Sequence, residues 1–218
     1  MKKQRIIFYI LMFLPLPVTL VSLVFLPEQI PAHYGFDNQV TRWGSKYETL
    51  IFPVVTILFG SFMLGISKLS ANQEKTGEDN EKVCIMAGIF SLFMFNAMTG
   101  YFLYTDFHKV EDLSSVSIDI YQLLFVLFGI FMIVIGYMMP KLQMNSVMGL
   151  RTHWSMKNEA TWEKSQRFGG ISSIIAGILL IFACCFTKGS ACFLWFMGVL
   201  ILYLLINVSY TYKVAKKY

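Results

Sequence analysis

Six runs of mostly apolar residues divide this chain: Ile6–Leu26, Thr49–Ser67, Val83–Tyr104, Ile118–Met139, Phe168–Phe186 and Cys192–Tyr212. A stretch of about 20 apolar residues wound as a helix crosses the hydrocarbon core of a bilayer. The pattern therefore predicts an all-α, polytopic integral membrane protein with six transmembrane helices. The polar stretches between the runs are short, with two exceptions: Leu26–Lys46 and Pro140–Gly170. No Asp, Glu, Lys, Arg or His falls deep inside any run. Ion- and proton-coupled carriers place such residues at mid-membrane, so the pattern speaks against a pump. Asn96 and Asn207 are asparagines inside the runs, and their favoured reading is a hydrogen-bonded tie between helices.

Composition agrees: 56% of the 218 residues are apolar and 14% charged. The first run follows Lys2, Lys3 and Arg5 and ends at Leu26-Pro27-Glu28. It is longer than the apolar part of a signal peptide, about 7–15 residues, and lacks a small-x-small site behind it. A retained helix is expected. Charge sets the orientation. With the N-terminus inside, fourteen of the eighteen Lys and Arg residues lie in inner segments and four in outer ones. Positive charge stays on the cytoplasmic side, which predicts N-in and C-in. The net charge of +5 is then a topology signal. It does not point to nucleic acid, because no basic stretch alternates with stacking aromatics. Seven acids lie in the outer segments, leaving that face slightly negative and weakly attractive to a cationic peptide.

Pro15 and Pro17 interrupt the first run and free backbone carbonyls that need new partners in a bilayer. The Leu26–Lys46 loop combines prolines and turn formers (Gly35, Asp37, Asn38, Gly44) with His33, Tyr34, Phe36 and Trp43. Such rigid, aromatic composition predicts an ordered outer cap; Trp43 fits an interfacial anchor equally well. The 69–82 connection reads as solvated. Cys184 or Cys185 is placed to meet Cys192 across the last outer turn, although small apolar fillers are the commoner use of such residues. No metal or cofactor motif is present, nor a Walker loop, an H-E-x-x-H or a recognisable catalytic order. The expectation is a protein without enzymatic activity, metal or cofactor.

The segment Pro140–Gly170 is the longest polar stretch. It holds two of the four tryptophans, Trp154 and Trp162, and two of the four arginines, Arg151 and Arg167. Asn158 suits a helix N-cap with Glu159 in the first turn, and the helix would run straight into the fifth span. Glu163 and Arg167 are spaced for an i,i+4 pair. Gly169, Ser173 and Gly177 form a small-residue stripe for a close helix neighbour. Arg151, flanked by Gly149, Thr152 and Trp154, offers a planar donor fork able to lock the loop beneath the bundle.

The residues Pro140-Lys141, Asn145, Gly149-Leu150-Arg151-Thr152-x-Trp154, Glu159, Trp162 and Arg167 resemble the signature of the SdpI family of bacterial membrane proteins. The Leu26–Lys46 loop, with Pro27, Pro31, His33, Gly35, Trp43 and Lys46, is similar to the DUF1648 segment that often precedes it. The chain departs from the family at His153, Gln166 and Tyr137, where proline, histidine and asparagine are usual. The resemblance implies a DUF1648-like helical hairpin at 1–68 and an SdpI-like four-helix region at 69–218 with its signature loop at 140–170. It implies a multi-pass immunity protein of the bacterial cytoplasmic membrane, giving protection against a secreted peptide toxin or bacteriocin. It also implies a signalling receptor that holds a small cytoplasmic repressor at the membrane. Partners would then be the toxin outside, the repressor inside and membrane lipid. Candidate binding residues are Lys141, Asn145, Gly149, Arg151, Thr152, Trp154, Glu159, Trp162 and Arg167 on the inner loop. On the outer loop they are His33, Phe36, Trp43 and Lys46. The alternative is a small-molecule or lipid transporter or channel, for which Asn96, Asn207 and the Ser and Thr residues would line one water-filled passage.

Overall fold

Proline breaks the first span in two: α1 (Lys2–Phe13) ends one residue before α2 (Pro15–Ser22) begins. Pro15 has no N–H to give the Leu11 carbonyl four residues back. Asn96 of the third span supplies the missing donor, its Nδ2 lying 2.8 Å from Leu11 O. The computed structural model describes residues 2–71, 77–145 and 147–218; part of the connection read as solvated, 72–76, lies outside them. The first span is followed by strands β1 (Gln29–Tyr34) and β2 (Val40–Ser45). Then come α3 (Ile51–Ala71), α4 (Gly77–His108), α5 (Ile120–Met138), α6 (Glu159–Phe186) and α7 (Ser190–Lys217). Among the described residues, six helical stretches are long and apolar enough to cross a membrane.

The helices pack as two groups. α1, α3 and α4 contact one another, α5, α6 and α7 do likewise, and α4 meets α5 between them. Phe8, Met12 and Ile85 are buried in the first group, Phe125, Leu180 and Cys184 in the second. The tightest contact is α5 against α6, and glycine permits it. A Cβ on Gly136 would stand 2.6 Å from Gly170 O, and one on Gly129 2.8 Å from Gly177 O. Ser173 Oγ donates to Met132 O across the same seam at 2.9 Å. The expected stripe is corrected in one position. Gly170 faces α5, whereas Gly169, about 100° around the helix, faces Met139, Leu150 and Asn207.

Two ends of the bundle differ. One carries the β-hairpin, the start of α5 and the α6–α7 turn. Asp119 caps α5, its Oδ1 accepting from Gln122 N at 2.8 Å, while its Oδ2 accepts from Gly189 N at 2.6 Å. One carboxylate thus fixes a helix start and the neighbouring turn. Gly189 has φ 58° there, a conformation that favours glycine. The other end carries both termini and the α5–α6 loop, and Arg5 of α1 pairs with Glu81 of α4 beside them. Cys84, Cys184, Cys185 and Cys192 are all free thiols.

Candidate functional site

The α5–α6 loop is folded, and its locks are short polar side chains. Asn145, buried, accepts from Val147 N at 2.8 Å and from Met148 N at 2.7 Å through one oxygen. This is the turn geometry that asparagine favours. Gly149 follows at φ 106°, where a side chain would be strained. Thr152 and Ser155 bond each other's backbone N–H groups, at 3.0 and 2.8 Å. Asn158 caps α6 through Thr161 N at 2.9 Å. Trp162, 2% exposed, donates its indole N–H to Leu142 O at 2.7 Å. Trp154 packs edge-on against Tyr212 of α7, and Lys157 reaches Ala215 O at 2.8 Å.

The central clamp is Gln166. It is fully buried, takes Leu150 N–H at 2.9 Å and donates to Leu150 O at 3.0 Å. An amide carries a donor and an acceptor side by side, so one side chain satisfies both halves of one peptide residue. Its departure from the family pattern gave no sign of this role.

Arg151 corrects the expectation placed on it. The side chain is exposed and makes no hydrogen bond or ion pair with a described residue. The loop is held without a guanidinium fork. Arg151 instead edges a shallow notch with His153 and Lys157. Glu163 and Arg167 do not form their expected ion pair; both point outward from α6, as does Glu159. Lys141 lies over the Tyr137 ring at 4.3 Å. The signature therefore splits. Asn145, Gly149, Thr152, Trp154 and Trp162 build the loop, while Lys141, Arg151, Glu159 and Arg167 are displayed on its surface.

At the opposite end the Leu26–Lys46 segment is an ordered cap: an antiparallel hairpin, which the proline-rich composition had not revealed as strands. Its register pairs Pro31 with Trp43 and His33 with Arg42. Asn38, at φ 68°, shapes the turn. The 105–117 connection pins it from below, with Val40 N bonding Glu111 O at 2.9 Å and Leu113 N bonding Asn38 O at 3.0 Å. Tyr34 donates to Val110 O at 2.8 Å, and burial pushes its phenol up to about 12. Arg42 grips Glu48 at 3.0 and 2.7 Å, which holds the Glu48 carboxyl below its usual value.

The hairpin's candidate residues have different surroundings. His33 Nδ1 meets Thr41 Oγ1 at 2.6 Å, and Lys46 pairs with Glu28 at 2.8 Å. Phe36, at the hairpin tip, sits edge-on to Tyr121 of α5 and Phe193 of α7. Trp43 is exposed. Beneath the hairpin lies a cavity of about 440 Å³, bounded by β1, the ends of α3 and α4 and the start of α5. The amides of the spans do not share a passage. Asn96 serves α1, and Asn207 Oδ1 accepts from Ser172 Oγ at 3.1 Å between α6 and α7. Paired ties between neighbouring helices are the arrangement expected of a closed bundle.

Residues 141–211 match the model of the SdpI/YfhL protein family, and residues 10–57 match a domain of unknown function, DUF1648. The chain is similar to "Immunity protein SdpI" of Bacillus subtilis (strain 168), 26% identical over 99% of this chain and 97% of that one. No solved structure gives a significant match. The protein is a multi-pass protein of the bacterial cytoplasmic membrane, in which a segment similar to the SdpI/YfhL family follows one similar to DUF1648.

Proposed function

We propose that this protein confers immunity to a secreted peptide toxin, with the hairpin end facing outward to meet the peptide and the α5–α6 loop facing the cytoplasm. The carrying observation is the ordered hairpin roofing a cavity of about 440 Å³, in a chain similar over nearly its full length to an immunity protein. A cavity of this size suits a small ligand or a side chain of a larger one. The excess of Lys and Arg in the other end's segments supports the orientation. Binding is the work required, not bond chemistry.

On the cytoplasmic side, Lys141, Arg151 and Arg167 are displayed rather than consumed by the fold. That suits a dock for an acidic face of a small repressor. Cations displayed at a rim steer partners and set association rates. Expression in a strain killed by the family's peptide toxin tests the reading: cells carrying the protein survive challenge, and survival no better than empty vector refutes it. Arg151→Ala combined with Arg167→Ala leaves survival intact and lowers repressor retention at the membrane.

A further inference from the structure

We propose that the cavity beneath the hairpin is a receptor pocket for the cationic side chain of an extracytoplasmic peptide, with Asp106 as its counter-charge. The origin of the peptide rests on the immunity reading above; the pocket's chemistry does not. Asp106 lies in the last turn of α4, is 3% exposed and lines the cavity. Its carboxylate has no hydrogen-bond or ion-pair partner among the described residues. Two neighbouring hydroxyls are committed elsewhere: Thr105, adjacent in sequence, donates to Phe102 O, and Tyr34 on the cavity wall donates to Val110 O. The cation on the cavity rim is committed too, because Arg42 is held by both oxygens of Glu48. That pair cancels, leaving Asp106 as the acid of the lining without a partner among the described residues.

A buried carboxylate without a partner is costly, and a desolvated ionisable group in a cleft is a candidate for a functional site. Much of the remaining wall is apolar, with Ile30, Phe52, Phe102 and Leu103, beside the polar side chains of His33, Asn38, Thr49 and Thr99. Lysine fits this lining. Its methylene stem covers apolar surface while its ammonium reaches a polar group. The hairpin end also carries more acids than cations, so a basic peptide is drawn toward the opening.

The test uses the full-length protein in lipid nanodiscs and two probes, acetyl-Phe-Lys-amide and acetyl-Phe-norleucine-amide, which differ by the ammonium. Calorimetric titration is expected to show the lysine probe binding about tenfold tighter or more. Asp106→Asn erases that preference and leaves the unliganded unfolding temperature unchanged or raised, since the variant removes an unpaired charge. Equal binding of both probes, binding of neither, a preference that survives in Asp106→Asn, or a lowered unfolding temperature in that variant overturns the proposal. Leu103→Trp, which fills the cavity and keeps the carboxylate, also loses the lysine probe; retained binding again overturns it. The cell assay separates the two readings. Full protection by Asp106→Asn overturns the pocket and leaves immunity standing. Absence of protection by the wild type overturns immunity alone, and the nanodisc preference then decides the pocket.

Discussion

Replacing Gln166 by leucine keeps the volume of the side chain and removes both bonds to Leu150. The two halves of the clamp are not equal. Leu150 O keeps a second donor, Ser155 Oγ at 2.8 Å, whereas Leu150 N–H has Gln166 as its partner. The loss is therefore one orphaned, partly buried N–H, worth about 2 kcal/mol. Each 1.4 kcal/mol is about a factor of ten in an equilibrium, so local opening of the loop rises about 30-fold. Trypsin reads this directly, since Arg151 and Lys157 are exposed on the loop. Where closing is faster than cleavage, the cutting rate follows the open population. Gln166→Leu in detergent is expected to be cut after Arg151 about 30-fold faster than wild type, with the unfolding midpoint of the bundle little changed. Cleavage at the wild-type rate would refute the clamp.

Arg151→Lys is expected to match wild type in thermal unfolding and expression, because the guanidinium holds nothing in the fold. Asn96→Leu orphans the Leu11 carbonyl and lowers stability by about 1–2 kcal/mol in a chemical unfolding titration, with α1 becoming the first segment to exchange amide hydrogens. Gly149→Ala places a side chain at φ 106°, with its Cβ 2.7 Å from Gln166 Oε1; a loss of about 1–2 kcal/mol is expected by the same titration. Glu48 has its carboxyl lowered by Arg42, so this contribution is present above the unfolded carboxyl value and disappears as pH falls through the folded one. Proteolysis of the hairpin is expected to quicken on acidification through that window in wild type, and to be flat across it in Glu48→Gln.

The spans were legible because membrane crossing imposes one length and one polarity on each helix. Asn158 as a cap and the close helix contact at Ser173 and Gly177 also followed from sequence, since 3.6-residue periodicity is local information. What sequence hid were pairings between distant segments. Asn96 repairs a proline 81 positions earlier, a relation that no spacing encodes. Arginine's chemistry made Arg151 the natural lock, yet a glutamine beside a left-handed glycine fits a single peptide better than a fork designed for carboxylates. The hairpin was concealed by Pro31, which pairs with Trp43 on a two-stranded ribbon whose outer edges need no ladder bond. Asp106 counted only as one of the seven outer acids, because burial under the hairpin is a property of the folded cap.

The α5–α6 seam has a mechanical corollary. Backbones in glycine contact at Gly129–Gly177 and Gly136–Gly170 leave no compressible side-chain layer between them, so the pair behaves as one stiff strut across the bilayer. Phe36 leans on its upper end through Tyr121, and Trp162 binds its lower end to Leu142. Packed interfaces shift between discrete arrangements instead of deforming smoothly. A nudge delivered at the aromatic tip would therefore emerge at the α5–α6 loop, at the other end of the bundle, as a rigid tilt.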